Sequence, residues 1–264
     1  MTTSASASAP TVRIRDLVLS YGAAPVLRVD RLDLEHGQVT ALIGPNGAGK
    51  STLLSAIAGL RRPDAGTVTV LDEPPADQHA RIAVVLQATA ISAHLPVTVR
   101  DVVAMGRYPR RGLWGRFGAD DRAAIATAME RLDVQDLAGR RIQELSGGQR
   151  QRAFVAQGLA QEADVLLLDE PVSGLDAVSQ DRILAVIADE AVAGRTVVVS
   201  THDLGEASSA DLLVLLAGRV VCAGPAATVL TEANLADAYG GRLVRLPSGG
   251  VLVDDGSHHH GHAH

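Results

Sequence analysis

The chain has 264 residues, of which 47% are hydrophobic and 20% charged, an ordinary composition for one large α/β core or a core with a small subdomain. Its net charge of −6 excludes the broad basic surface expected of a nucleic-acid-binding protein, and no apolar run approaches the length of a membrane span. The single cysteine, Cys222, excludes an internal disulfide and is typical of a reducing compartment, so we expect a cytosolic protein.

The first ten residues are rich in Ser, Ala and Thr and lack both a basic start and an apolar segment. We therefore expect residues 1–10 to be a disordered lead-in rather than a secretory signal. From residue 11 to 42 apolar and polar residues alternate, which predicts strands. Shorter strand patterns follow at 66–70 and 81–87, with proline-containing loops between them.

Residues 44–51 match the pattern G-x-x-x-x-G-K-[ST]. The apolar run 39–43 precedes this loop and residues 52–60 are typical of a helix, which is the context that a phosphate-binding loop needs. Its glycines let backbone N–H groups point at phosphate oxygens, and the helix N-terminus adds positive potential. A Gly-rich turn without a ligand is the alternative, and the context disfavours it. The predicted nucleotide-binding residues here are Gly44, Pro45, Asn46, Gly47, Ala48, Gly49, Lys50, Ser51 and Thr52.

Of the 24 Lys and Arg residues, only Lys50 is a lysine. A compact ammonium on a flexible stem fits between phosphates, where a planar guanidinium would not. We expect Lys50 to reach the β- and γ-phosphates and the Ser51 hydroxyl to bind Mg²⁺. The alternative is that an arginine-rich composition left one lysine by accident.

The sequence changes character at residues 88–145, where 98–105 and 120–132 have helical spacing with a Thr and an Asp as N-cap candidates. Between them, residues 107–117 contain four arginines and three aromatic residues. This segment is either a loop whose aromatic side chains cover the helices, or a docking surface for another protein or a membrane face, because Arg and large aromatic residues are enriched at interface hot spots. The sequence leaves both interpretations open.

Polar residues follow the buried strands predicted in the second half of the chain. The apolar run 165–168 ends in Asp169 and Glu170, and the next buried strand, 196–200, leads to His202. Carboxylates at the tip of a central parallel strand face a ligand, so Asp169 is a candidate for holding Mg²⁺. Glu170, as the next residue, points to the other side of the strand. An amphipathic helix is expected between the two strands, and hairpins around a short helix after them.

The sequence Leu145-Ser-Gly-Gly-Gln149 opens a further helix. With this motif the chain resembles an ATP-binding-cassette (ABC) ATPase, the motor subunit of a membrane transporter, over about residues 11–240. The motifs that carry the resemblance, in chain order, are Tyr21, 44–51, Gln87, 145–149, 165–170, 173–176 and His202.

The resemblance implies an α/β fold class, with a P-loop nucleotide-binding core containing a mixed sheet, an antiparallel β subdomain and a helical subdomain. The ABC ATPase domain would cover 11–255, with the helical subdomain at about 88–160.

The resemblance also implies roles for single residues, with ATP and Mg²⁺ as cofactors. Glu170 would be the general base that polarises the attacking water, His202 the switch histidine that bonds the γ-phosphate, and Gln87 a contact to the metal and that water. Tyr21 would stack on adenine. Without the other motifs, Gln87 and Tyr21 would be interpreted as ordinary residues at strand ends. His202 would be interpreted as a structural hydrogen-bonding residue. The implied Mg²⁺ ligands are Ser51, Gln87 and Asp169.

A second phosphate-binding surface is expected at the start of the helix that follows Leu145. There, a serine hydroxyl, glycine N–H groups and the helix N-terminus would all face an anion. In the family, each ATP lies between the phosphate loop of one chain and this surface of its partner, in a head-to-tail dimer. The residues implied at this interface are Ser146, Gly147, Gly148, Gln149 and, reaching across it, Asp176.

As a transporter ATPase, the chain would be peripheral to the cytoplasmic face of the membrane. It would form a homodimer and bind permease subunits near residues 88–118, in a system with an extracytoplasmic solute-binding protein. Residues 94–102, 105–108 and 150–152 look most like ATPases of zinc and manganese importers. Importers of iron complexes (siderophore or haem) or of cobalamin share much of this pattern and remain the alternative. A non-transport ABC ATPase is a further alternative, although residues 52–145 are too few for the long coiled coil of chromosome-maintenance ATPases.

Five of the nine histidines lie in the tail 256–264, where imidazoles at such density are typical of Zn²⁺ binding. The alternative is an expression tag, since Gly256-Ser257 resembles a cloning linker, but Gly261 and Ala263 interrupt the run. The candidate zinc ligands are His258, His259, His260, His262 and His264.

Overall fold

The computed structural model describes residues 9–22, 24–86, 96–112 and 115–240, together with the backbone of two short strands at 243–245 and 251–253. Gln87, the tail histidines and Trp114 lie outside the described residues. Strands and helices are numbered in chain order below.

An antiparallel sheet of three strands begins the fold. Val12, Ile14, Leu17 and Leu19 alternate with more exposed residues and are buried, as the sequence predicts for a half-buried strand. The central strand β1 pairs with one neighbour on each side, with bulges that let the sheet bend. The strands are β1 (Val12–Tyr21), β2 (Ala24–Leu34) and β4 (Ala65–Val70).

The second sheet has six strands and forms the centre of the molecule. Its first five strands are parallel, and the last is antiparallel to its neighbour, so the sheet is mixed. The three strands nearest the middle are almost wholly buried and apolar, as expected for a sheet covered on both faces. In spatial order the strands are β5 (Ile82–Val85), β6 (Val165–Asp169), β7 (Thr196–Ser200), β3 (Val39–Ile43), β8 (Leu212–Leu216) and β9 (Val220–Gly224).

Helices pack around this sheet in two groups. One group lies between β5 and β6 in sequence and packs in an apolar cluster that it shares with β5, β6, β7 and α6; Val103, Ile125, Leu132 and Ala156 are among its members. Its members are α2 (Val99–Met105), α3 (Tyr108–Arg111), α4 (Ala119–Arg131) and α5 (Gly147–Ala160). The others are α1 (Lys50–Ile57), α6 (Ala177–Val192), α7 (Leu204–Ala207), α8 (Ala226–Val229) and α9 (Glu232–Tyr239). The antiparallel hairpin of β10 (Leu243–Arg245) and β11 (Val251–Val253) follows.

These elements confirm the predicted fold class, with a mixed sheet, an antiparallel sheet and helices. The bounds of two helices, α1 and α4, differ from the sequence prediction. α1 ends at Ile57 rather than near residue 60, because Gly59 adopts a left-handed conformation with φ of 73°. α4 has its N-cap at Gly118, two residues before the predicted Asp120, and the Gly118 N–H donates to Asp121 in the first turn. No described helix is long and apolar enough to cross a membrane.

The arginine-rich segment after α2 is partly internal. Arg107 is only 3% exposed, and its guanidinium donates to Asp121 at 3.0 Å, to the Ala160 carbonyl at 2.6 Å and to Glu162 at 2.8 Å. The Gly118 N–H, together with Arg111 and Arg107, lowers the pKa of Asp121 to about 2. Arg107 therefore ties α2 to α4 and α5, and it is unavailable to a docking partner.

Candidate functional site

The loop between β3 and α1 curls because three glycines adopt positive φ angles. These angles are 147° at Gly44, 80° at Gly47 and 100° at Gly49. A Cβ atom at Gly44 would lie 2.1 Å from the carbonyl oxygen of Leu216 on β8, so only glycine fits there. Gly49 occupies the N-cap of α1 without a side-chain cap, which leaves the first N–H groups of the helix uncovered by any capping side chain.

Lys50 lies against its own loop. Its Nζ donates to the carbonyl oxygens of Gly44 at 2.7 Å and Pro45 at 3.3 Å, and the residue is only 7% exposed. Burial lowers the pKa of the Lys50 ammonium, while the nearby charges of Glu170 and Asp169 act against this lowering. The lysine of the phosphate loop and the two carboxylates after β6 are therefore close enough to interact electrostatically.

The end of β6 carries the two carboxylates that the sequence singled out. Asp169 is 8% exposed, and its Oδ1 accepts a hydrogen bond from the Ser200 hydroxyl at 2.5 Å. Glu170 follows with φ of 46°, a left-handed conformation that non-glycine residues rarely adopt. Such backbone strain is typical of functional sites, where the surrounding structure holds the residue in place.

His202 lies beside this pair. Its Nδ1 is 3.8 Å from Oε2 of Glu170, and its side chain is about half exposed. The loop that carries it is fixed by Thr201, whose hydroxyl donates to Glu206 at 2.8 Å and accepts from the Asp203 N–H at 3.0 Å. The ends of β3, β6 and β7 thus bring Lys50, Asp169, Glu170 and His202 to one edge of the sheet.

The Ser-Gly-Gly-Gln motif forms the N-terminus of α5. Ser146 Oγ accepts from the Gln149 N–H at 3.2 Å, and the Gln149 side chain accepts from the Ser146 N–H at 3.1 Å, which is a complete capping box. A Cβ on Gly147 would meet nothing within 4 Å, so that side of the turn is open. Among the described residues, no hydrogen bond or ion pair joins Ser146 to the phosphate loop.

Asp176 lies close to this motif within the same chain. A Cβ on Gly148 would come within 2.6 Å of Asp176 Oδ2, which shows how tightly the two segments pack. Asp176 caps α6 by accepting from the N–H of Ser179 at 2.9 Å and from its hydroxyl at 3.0 Å. These bonds, the backbone one first, lower the pKa of Asp176. The candidate residues therefore form two groups, one at the phosphate loop and one at the start of α5.

Tyr21 is 62% exposed at the end of β1, and the guanidinium of Arg61 lies 4.0 Å from its ring centroid. Arg61 also donates to the carbonyl oxygen of Ser20. The Tyr21 ring therefore has a cation over one face, and the residue is mostly exposed. The sequence alone did not identify Arg61, because this residue is distant from Tyr21 in sequence. The two side chains come into contact only in the folded chain.

The residues that could hold Mg²⁺ have suitable chemistry. Ser51 in the first turn of α1 offers a hydroxyl, and Asp169 has one carboxylate oxygen engaged by Ser200 and a second one left over. Mg²⁺ on a nucleotide needs only one or two such oxygens from the protein, because phosphates and water supply the rest. Within the described ranges no three His, Cys, Asp or Glu side chains cluster as a metal site of their own.

Comparison with known proteins agrees with this geometry. Residues 27–173 match the model of the ABC transporter family. The zinc transport system ATP-binding protein TroB of Treponema pallidum is 40% identical over 239 residues, which is 90% of this chain and 90% of the relative. The manganese transport system ATP-binding protein MntB of Bacillus subtilis is 39% identical over 236 residues, 89% of this chain and 94% of the relative.

One further relative is named for a different cargo, and one solved structure has a similar fold. The hemin import ATP-binding protein HmuV of Thermobifida fusca is 42% identical over 234 residues, 85% of this chain and 80% of the relative. An inward-facing ABC transporter described as of the metal-chelate type matches with a TM-score of 0.77 and 29% identity over 92% of this chain and 95% of the other. Because the family model spans more than half of the chain and these relatives align with most of it, the protein belongs to the ABC transporter family, as one of its ATP-hydrolysing, ATP-binding subunits.

Proposed function

We propose that this ATPase drives a membrane importer of a divalent metal ion such as zinc or manganese, working as a head-to-tail homodimer with Mg²⁺-ATP between its two copies. The observation that carries the proposal is the meeting of Lys50, Asp169, Glu170 and His202 at the ends of adjacent parallel strands. A base, a switch histidine, a phosphate-binding lysine and a metal-binding carboxylate are the groups that ATP hydrolysis requires.

Nucleotide binding begins at the phosphate loop. The Lys50 ammonium donates hydrogen bonds to the carbonyls of Gly44 and Pro45. On binding, Lys50 exchanges these carbonyls for β- and γ-phosphate oxygens, which are stronger partners for an ammonium. The N–H groups of 47–52 donate to the same phosphates, and Tyr21 stacks on adenine.

Hydrolysis depends on the residues after β6 and β7. Glu170 accepts a proton from the attacking water, and His202 bonds the γ-phosphate and holds that water in line. Ser51, Asp169 and Gln87 would hold Mg²⁺, which when bound neutralises the charge of the β- and γ-phosphates. Gln87 lies outside the described residues, so its place in this set rests on the family motif.

The second half-site explains why two copies are needed. Ser146, Gly147 and Gly148 present a hydroxyl and backbone N–H groups at the start of α5, and Gln149 fixes that turn through the capping box. Packed on the ATP of a partner chain, this surface completes the coordination of the γ-phosphate. Asp176, adjacent to Gly148, is then positioned at the dimer interface.

Transport requires membrane subunits, and we place their docking surface near residues 88–118, at the cytoplasmic face of the membrane. Arg107 is buried, so exposed residues such as Tyr108 are better candidates for contacts with these subunits. The ring of Tyr108 lies 5.6 Å from that of Phe117. An extracytoplasmic solute-binding protein would deliver the cargo, and the tail histidines would sense zinc.

The ATP site can be tested through the only lysine of the chain. An amine-selective reagent applied to N-terminally blocked protein modifies Lys50 alone. We expect modification to abolish ATP binding and ATP to protect the lysine, because its side chain must lie against phosphates. Adenosine, which lacks phosphates, is the control and should protect little. Full ATP binding after quantitative modification would contradict the proposal.

The cargo can be tested in the reconstituted transporter. Relatives are named for zinc, manganese and hemin transport. We expect ATPase activity in proteoliposomes containing the membrane subunits to rise when the solute-binding protein carries Zn²⁺ or Mn²⁺, and to stay basal with haem. Stimulation by haem alone would establish the iron-complex alternative and overturn the metal-ion assignment.

A further inference from the structure

Ser200 is the last residue of β7 and is fully buried. In the parallel register it lies opposite Asp169 on β6 and opposite Leu42 on β3. It therefore occupies the strand between the phosphate-loop strand and the carboxylate strand, two residues before His202.

The Ser200 hydroxyl makes two hydrogen bonds to successive residues. It donates to Asp169 Oδ1 at 2.5 Å and accepts from the Glu170 N–H at 3.0 Å. The Ser200 carbonyl oxygen lies 3.2 Å from the same N–H. One serine thus fixes the carboxylate of the candidate Mg²⁺ ligand, Asp169, and the backbone of the candidate general base, Glu170.

Both bonds constrain atoms that ATP hydrolysis would use. The hydrogen bond from Ser200 to Oδ1 fixes the orientation of the Asp169 carboxylate. Oδ2 is then the oxygen available to a metal ion. A hydrogen bond to a charged group is among the stronger ones in proteins. Glu170 has φ of 46°, and the bonds from its N–H to Ser200 help to hold this strained conformation.

Ser200 ends a strand that is otherwise mostly apolar. The three preceding residues of β7 are valines, and a strand buried on both faces is normally apolar throughout. Burying a hydroxyl is unfavourable unless it forms hydrogen bonds, and both bonds of Ser200 go to Asp169 and Glu170. The hydroxyl is therefore explained by its two partners.

We propose that Ser200 is a positioning residue for ATP hydrolysis, which orients the Asp169 carboxylate toward Mg²⁺ and holds the Glu170 backbone in its strained conformation. This inference rests on the proposed function of that site. Ser200 acts through the two carboxylate residues to which it is hydrogen-bonded.

The test compares Ser200→Ala with Thr40→Val. Thr40 is a fully buried residue on β3 in the same sheet, and its hydroxyl has no hydrogen-bond partner within the described part of the chain. Three quantities are measured: ATP affinity in EDTA, Mn²⁺ affinity of the protein–ATP complex by EPR, and kcat with KM. For Ser200→Ala we expect metal-free ATP affinity within about twofold of the parent, Mn²⁺ affinity about tenfold weaker and kcat about tenfold or more lower, from loss of a bond to a charged group. Thr40→Val should change none of them.

Ser200→Cys is the second variant and retains a weak donor in the same place. Its Mn²⁺ affinity should lie between those of the parent and Ser200→Ala, and it carries the test if the alanine variant does not fold. Parent-like Mn²⁺ affinity and kcat in the folded variants would overturn the proposal. Equal losses of metal-free ATP affinity and Mn²⁺ affinity would also overturn it, because they indicate a general structural role. If the unsubstituted protein bound no ATP, the proposed function itself would fail.

Discussion

Replacing Glu170 by Gln is expected to reduce ATP turnover about a thousandfold while ATP binding persists. Glutamine has nearly the same shape but cannot accept the proton of the attacking water. It also removes one of the two negative charges that act on Lys50, so ATP affinity should be retained or slightly increased. Single-turnover assays measure hydrolysis, and equilibrium binding measures ATP affinity. Size-exclusion chromatography with light scattering measures the dimer. With hydrolysis stopped, the ATP-bound dimer should accumulate.

Glu144→Gln is the matched control for this substitution. It removes the same charge from a half-exposed glutamate two residues before Ser146, and it should leave turnover unchanged. A Glu170→Gln variant that hydrolyses ATP at a rate near that of the parent would show that another group accepts the proton. Loss of ATP binding in this variant would instead indicate that Glu170 is needed to hold the site together.

The local conformation of several motifs in the candidate site could be predicted from the sequence, because each of these motifs is formed by neighbouring residues. The phosphate loop needs only Gly44, Gly47, Gly49 and the residues between and just after them, and its conformation follows from glycine's access to positive φ. The capping box of Ser146 and Gln149 is likewise complete within four residues. Alternating and continuous apolar runs predicted the two sheets for the same reason.

What the sequence could not provide are contacts between distant segments. The bonds of Ser200 to Asp169 and Glu170 join residues about thirty positions apart, and only the parallel register of β6 and β7 brings them together. A polar residue ending an otherwise apolar strand was the available signal. Arg107 was one of several similar arginines in sequence, and only its packing against Asp121 distinguishes it as internal.

The dimer proposal depends on the observation that the candidate residues form two separate groups. Lys50 interacts electrostatically with Asp169 and Glu170, while Ser146 and Asp176 belong to the segment around the start of α5. Each group alone offers only part of the charge neutralisation and positioning that phosphoryl transfer requires. In the proposed dimer, a second copy oriented head to tail would supply the missing group to each ATP.

Replacing Ser146 by Arg is therefore expected to block dimer formation and leave ATP binding by the monomer intact. The large cation would occupy the place of the partner's γ-phosphate, next to a helix N-terminus that already carries positive potential. In the Glu170→Gln background the ATP-bound dimer should weaken at least about tenfold, equivalent to about 1.4 kcal/mol. Light scattering at several protein concentrations measures the dimer, and equilibrium binding of labelled ATP measures the monomer site.

Two variants in the same background separate this effect from others. Ala126→Arg adds the same charge to an exposed position on α4 and should leave the dimer unchanged. Ser146→Ala removes the cap, at a cost of about 1 kcal/mol in stability, without adding bulk, so its dimer should be weakened less than that of Ser146→Arg. If Ser146→Arg still dimerised with ATP and, on the unsubstituted Glu170 background, hydrolysed it at the parent's rate, the two half-sites could not belong to different copies of the chain.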